Sequence, residues 1–251
     1  MFRTAFRRVP VYSYHIRSFS DKNVVVYGHY VSQPSRAVLW LLKMHDHPFD
    51  FVKVEPLAGD TKKPDFKSLF PLSLAPAIND NGFYLAEGSA IMQYLCEKNN
   101  WEQYWPIAND TQTRQRRARI AEYLSHHHHS TRLISHRVMR PYLQEIFGMA
   151  QPSDDAAKTK RKELALKMVG KFEKTFLSQG KFVSGMSEPT IADILAYCEV
   201  YQLVSSKLLS SLDDHSTAKA WCEEMQKLPY HDDVHRTVTK VGEIAKSKNL
   251  T

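Results

Sequence analysis

Ser32 stands where a β-prone run, Val24 to Tyr27, hands over to a helical run that opens at Ser35 just after Pro34. Free backbone N–H groups and the helix dipole favour negative charge at such a junction. A hydroxyl held there can donate a hydrogen bond to an anion such as a thiolate; the same position also suits a serine that only caps a helix. The chemistry open to such a donor can be bounded. A free thiol has a pKa of about 8.5, and each unit of lowering takes about 1.4 kcal/mol. A hydrogen bond to a charged acceptor supplies about 1.5–3 kcal/mol, and a helix N-terminus about 0.3–1 more. Together they lower a bound thiol by about two units. The thiolate is then the nucleophile, and no Ser–His–Asp relay is needed; none is evident.

Two other groups of residues could carry chemistry. His126 to His129 are consecutive, with His136 one heptad beyond. Neighbours on a helix point about 100° apart, so four in a row do not converge on one ion. His126 and His129 share a face, but positions 130 to 133 are Ser, Thr, Arg and Leu, and no cysteine completes a ligand set. No metal site is expected; the helix should instead turn one or two imidazoles toward a cleft between domains. Cys96, Cys198 and Cys222 are odd in number, widely spaced and set in apolar helical text, as buried reduced thiols are. There is no CxxC and no cysteine before Cys96, so thiol–disulfide exchange in the first half has no nucleophile.

The elements that position Ser32 follow from the pattern. Val24–Tyr27 is a buried strand, Ser35–Leu42 opens an amphipathic helix, and Asp50–Glu55 (DFVKVE) is a second strand. In LSLAPAINDNGFYLAEGSAIMQYL, from Leu72, Ala77-Ile78 is a short strand, Asn79–Gly82 a tight turn and Phe83–Leu85 the returning strand of a hairpin. A helix runs from about Ser89 to Lys98, giving the order βαβ–ββα. Pro76, at a strand entrance, is a candidate cis-proline. In this order and spacing the residues resemble the thioredoxin-like half of the glutathione transferases, and YVSQPSR around Ser32 looks most like the theta class. The match passes through Pro48-Phe49, Phe70-Pro71-Leu72, Ala75-Pro76-Ala77 and Glu87 to Ala90-Ile91, then continues weakly to about Val241.

The resemblance implies an α+β two-domain fold, a thioredoxin-like domain packed on an all-α domain, with glutathione as co-substrate and no prosthetic group. It implies that Ser32 activates the glutathione thiol, that the Ala75 backbone beside Pro76 pairs with the cysteinyl amide, and that Glu87 meets the glutamyl amine. At the next position the family usually has a serine for the glutamyl carboxylate; here it is Gly88, with Ser89 adjacent and expected to point elsewhere. Thr61 and Leu74 stand where theta enzymes place His and Lys near the glycyl end, and Lys62 or Lys63 is expected to compensate. His129 and Arg132, on the helix that borders the electrophile pocket, are further site candidates. A homodimer is implied as well.

The rest of the chain fits this organisation. Residues 1–20 hold Arg3, Arg7, Arg8 and Arg17, three serines and no acid, the look of a mitochondrial targeting segment, with a basic tail on a cytoplasmic protein as the alternative. Without those four arginines the formal charge of +7 falls to +3 (7 − 4), and no basic stripe interleaved with aromatics remains for nucleic acid. Apolar content of 43% is too high for disorder, and no apolar run approaches the roughly 20 residues that cross a bilayer. The expected domains are 21–98, a linker at 99–109 and an all-α domain over 110–251. In that domain, helices are expected at Thr111–Ser130 and Lys160–Leu177, the KTKRK run at 158–162 as a solvated face, and Thr190–Asp193 as a capping box for the helix Ile194–Val204. Ala218, Trp221, Cys222 and Met225 make one more packed face.

The function expected is conjugation of glutathione to small hydrophobic electrophiles. Two alternatives are kept: a non-catalytic scaffold or subunit of a larger assembly, which Thr61, Leu74 and Gly88 favour, and glutathione-dependent isomerisation or dehalogenation on the same fold.

Overall fold

The structure, a computed structural model, describes residues 23–250. The targeting segment expected at 1–20 lies outside them.

Four strands form one mixed sheet in the order β2-β1-β3-β4. β1 (Val24–Gly28) is buried along its whole length and pairs in parallel with β2 (Phe49–Lys53), Val26 opposite Phe51. On its other side it pairs antiparallel with β3 (Ala77–Asp80), Val26 opposite Ile78. β4 (Phe83–Ala86) returns from β3 through the Asn81-Gly82 turn, both residues at positive φ, which glycine and asparagine tolerate best. The Ala75–Pro76 bond is cis, as the sequence suggests. β2 stops at Lys53, because Pro56–Ala58 and Asp60–Lys62 coil into short 3-10 turns before α2 (Pro64–Leu69).

α1 (Gln33–Met44) is not amphipathic in its surroundings. It lies between the sheet and the core helix of the second half, so Ser35 and Arg36 are as fully buried as Leu39 and Trp40. α3 (Gly88–Asn99) closes the first domain beside α1.

The second half is helical, with one isolated β-bridge among the described residues, Phe182 with Met186. α4 (Thr111–His126) ends earlier than expected: His127–His129 is a 3-10 turn, and Ser130, at φ −128° and ψ −106°, breaks the run. The chain re-enters a helix as α5 (Arg132–Ile134), widens into a π turn at Ser135–Met139 and continues as α6 (Arg140–Ile146). The π turn lies just before Pro141, which has no N–H to place in an ordinary ladder.

α7 (Asp155–Phe172) starts with Asp154 capping Ala157, so the basic run lies inside it. Arg161 in that run is not solvated: it pairs with the buried Glu145, and Ser153 also binds that carboxylate, at 2.8 Å. α8 (Ile191–Ser205) carries the expected capping box. Its Asp193 is buried and accepts from the Thr190 and Val183 amides and the Trp221 indole at 2.8–2.9 Å; burial pushes its pKa up to about 6 against the pull of those donors. α9 (Ser216–Gln226) buries the expected Ala218, Trp221, Cys222 and Met225, and α10 (His231–Ser247) brings His235 against Trp40 and Tyr197.

Candidate active site at the domain cleft

Ser32 is the N-cap residue of α1, in extended conformation (φ −74°, ψ 126°), and its side chain makes no capping bond. Its amide donates to the His29 carbonyl at 2.9 Å and its carbonyl accepts from the Arg36 amide at 3.0 Å, so the backbone is fixed while the hydroxyl has no cap to serve. Ser32, with Val31, Gln33, Ala75 and Arg132, lines a cavity of about 300 Å³ between the two domains. Behind it, the buried Arg36 guanidinium donates to the carbonyls of Tyr30 (3.0 Å), Val31 (2.8 Å) and Cys198 (2.9 Å). An arginine inside the core thus ties the loop before Ser32 to α8.

A second, smaller space of about 170 Å³ adjoins, lined by Ala75, Pro76, Glu87, Gly88, Ser89 and His128. Glu87 holds φ 76° and ψ 112°, a backbone conformation that costs a non-glycine residue about 1–3 kcal/mol and recurs at ligand sites. His128 Nε2 lies 3.6 Å from its carboxylate. Ser89 is among the residues that line this space. Gly88 is buried, and a Cβ built on it would sit 3.0 Å from Pro34 Cβ. The start of α3 packs on the start of α1 at that distance, so a side chain at 88 requires Pro34 to give way by a few tenths of an ångström.

The histidine run divides as its helix ending dictates. His127 and His128 face the cleft; His129 lies with His126 in a separate groove against Met168 and Phe172 of α7 and Phe176 just beyond it, so it is not a cleft residue. His127 is buried, with Nδ1 2.9 Å from Thr131 Oγ1, and burial, reinforced by Arg132 and His128, drops its pKa to about 3. Thr61 and Leu74 line the larger cavity, but Lys62 is exposed and lines neither space, and Lys63 pairs with Asp60 at 2.7 Å.

Arg132 belongs to a buried polar network that sequence reasoning missed. Its Nη1 donates to Gln33 Oε1 at 3.1 Å and Glu199 Oε1 at 2.9 Å. Ser135 binds the other Glu199 oxygen, Gln202 Nε2 donates to Ser135 Oγ at 3.0 Å, and Gln202 Oε1 accepts from Gln33 Nε2. Burial raises the pKa of Glu199, and Arg132 and Ser135 oppose the shift. The sequence held a signal: Glu199 and Gln202, three apart, are the polar pair in an otherwise apolar stretch of helix. The network joins the residue after Ser32 to α8 and the π turn.

Among the described residues no group of three or more His, Cys, Asp or Glu is placed to hold a metal ion. The cysteines are free and buried, and burial pushes the thiols of Cys96 and Cys198 up to about 12, far from a reactive thiolate. No helix among the described residues is long and apolar enough to cross a membrane.

Residues 23–97 match the family described as glutathione S-transferase, N-terminal domain. Over 227 residues the chain is 32% identical to glutathione S-transferase T1 of Arabidopsis thaliana, covering 87% of this chain and 90% of that one. It is 32% identical over 182 residues to Homo sapiens glutathione S-transferase theta-1, covering 70% and 71%. The structure of human glutathione transferase theta-2 in complex with glutathione and an unknown ligand shares the fold with a TM-score of 0.74 at 27% identity, over 91% of this chain and 93% of that one. A serine at a strand-to-helix junction, a cis-proline edge and relatives matched across both domains lead to one assignment: the chain belongs to the glutathione transferases and is theta-class-like.

Proposed function

We propose that the protein conjugates glutathione to small hydrophobic electrophiles, with Ser32 donating a hydrogen bond to the glutathione thiolate. The observation that carries this reading is the Ser32 hydroxyl, released from capping at a helix N-terminus and set on a cavity of about 300 Å³. Ala75, Glu87, Gly88 and Ser89 gather in the adjoining space, where an extended peptide finds a strand edge, a carboxylate for its amine and the free amides of α3 for its carboxylate. The relatives carry transferase names, and the theta-2 neighbour binds glutathione, which supports the same assignment. The thiolate attacks an electrophilic carbon, the new S–C bond forms, and the leaving group departs with its electron pair.

The test is retention on immobilised glutathione followed by turnover of alkyl halides, aryl halides and peroxides. Retention with turnover of at least one class is expected; neither retention nor turnover would remove the enzyme reading and leave the scaffold. A role in detoxification, a homodimer and import into mitochondria are part of the proposal. Import rests on the acid-free, arginine-rich residues 1–20. A fluorescent reporter carrying residues 1–25 is expected in mitochondria, and a diffuse cytosolic signal would contradict it.

A further inference from the structure

Arg132, His136 and Arg140 are spaced four apart on the α5–π–α6 segment, and all three line the larger cavity. The wide π turn keeps residues of this spacing on one side of the segment. Their situations differ. Arg132 is already engaged by Glu199 and Gln33. The Arg140 and His136 side chains have no hydrogen bond or ion pair among the described residues. Arg140 is thus a cation on the cavity wall without a protein counter-ion, one turn from the His136 imidazole.

The groups that face Arg140 and His136 do not supply one. Across the cavity stand His29 and Glu55, and the Glu55 carboxylate is engaged by His29 Nε2 at 3.2 Å and by Lys53. Glu199 lies beneath and is held by Arg132. His136 is pushed below its ordinary pKa by partial burial and by Arg132, Arg140 and His128. The wall beside Arg140 is apolar, built from Met139, Leu143, Phe147 and Leu74. Arg140 does not line the smaller space beside Glu87 and Gly88, so it stands apart from the proposed glutamyl end of glutathione.

We propose that the cavity selects second substrates with an apolar body and a carboxylate or sulfonate remote from the reacting carbon, the anion held by Arg140 and His136 and the body by Met139, Leu143 and Phe147. The inference rests on the transferase reading above and names the substrate class of that site.

The test compares 4-(chloromethyl)benzoate with its neutral methyl ester. In both, the glutathione thiolate forms an S–C bond at the benzylic carbon as the C–Cl bond breaks and chloride leaves with the electron pair, so only the remote charge differs. Each kcat/KM is divided by the uncatalysed rate with glutathione, which removes the substituent's electronic effect. Arg140 and His136 are exposed at the cavity rim, so the acid is expected to be preferred about two- to fivefold, the range for an exposed ion pair. The preference should shrink as salt rises from about 0.1 M to about 1 M, and it should fall to about one in Arg140→Gln while Arg140→Lys keeps part of it. The ratio is taken within each variant, so a general loss of fold cancels.

Calorimetry with S-(4-carboxybenzyl)glutathione and S-benzylglutathione makes the same comparison without turnover. Equal affinity, or an acid-to-ester ratio of one or less in the wild type, overturns this inference alone. If Arg140→Gln raises the KM for glutathione and leaves the ratio intact, Arg140 serves glutathione and the inference is also overturned. If neither conjugate binds and neither substrate turns over, the transferase reading falls and takes the inference with it.

Discussion

Replacing Gly88 sets the sequence and the structure against each other. By the resemblance, Gly88→Ser restores a lost hydroxyl anchor and should tighten glutathione binding. In the structure a Cβ at this buried position meets Pro34 Cβ at 3.0 Å, tighter than nine in ten Cβ contacts, and Pro34 is a rigid ring two residues from Ser32. Overpacking of this kind typically costs about 1–3 kcal/mol, which for a chain of this size lowers the Tm by about 2–10 °C. Gly88→Ala carries the clash without the hydroxyl, so it isolates the packing loss. The difference between Ser and Ala then reports the new anchor, about 0.5–1.5 kcal/mol, or two- to tenfold in Kd. Thermal unfolding and glutathione titration of wild type, Gly88→Ala, Gly88→Ser and the combinations with Pro34→Gly, which removes the clashing Cβ, make the measurement. Pro34→Gly carries its own cost, but Gly88→Ala should cost less in that background than in wild type, the coupling expected of residues in contact. A Gly88→Ala protein as stable as wild type, with no coupling to Pro34→Gly, would refute this account of the glycine.

Two further outcomes are expected. His235 is fully buried with both ring nitrogens unpartnered, and burial holds its pKa well below the ordinary value, so below about pH 6.5 the unfolded chain binds a proton that the folded chain refuses. Stability is therefore lost as pH falls, and His235→Phe should flatten the curve between pH 6.5 and 5 by about 1.4 kcal/mol per pH unit; parallel curves for variant and wild type would contradict this. Glu199→Gln keeps a hydrogen-bonding partner for Arg132 whereas Glu199→Ala leaves a cavity and a half-buried cation, so unfolding experiments should show the Ala variant losing about 3–5 kcal/mol and the Gln variant clearly less.

Much of the fold was legible where its signals are local. The β-prone run before Pro34, the Asn81-Gly82 hairpin and the Thr190–Asp193 box each act within a few residues. What escaped depends on contacts between distant segments. Arg36 reads as the polar face of an amphipathic helix until α8 covers it, and Gly88 reads as a missing serine until Pro34 is seen against it. That one or two histidines turn toward the cleft was legible, but which ones depends on the end of α4 at His126 and the break at Ser130, which send His127 and His128 into the cleft and His129 to α7. Pro141 was the visible trace of the π turn that arranges Arg132, His136 and Arg140, but a proline alone does not say whether a helix ends, kinks or widens.

The claim that Ser32 stabilises a bound thiolate is tested most directly by titrating the thiolate's ultraviolet absorbance in the complex with glutathione, for wild type and Ser32→Ala. The wild-type complex should ionise about two pH units below the free thiol value of about 8.5, and Ser32→Ala should return it most of the way, lowering kcat/KM about ten- to hundredfold at neutral pH and much less at high pH. The same ionisation curve in both proteins, or none shifted from free glutathione, would contradict the role given to Ser32.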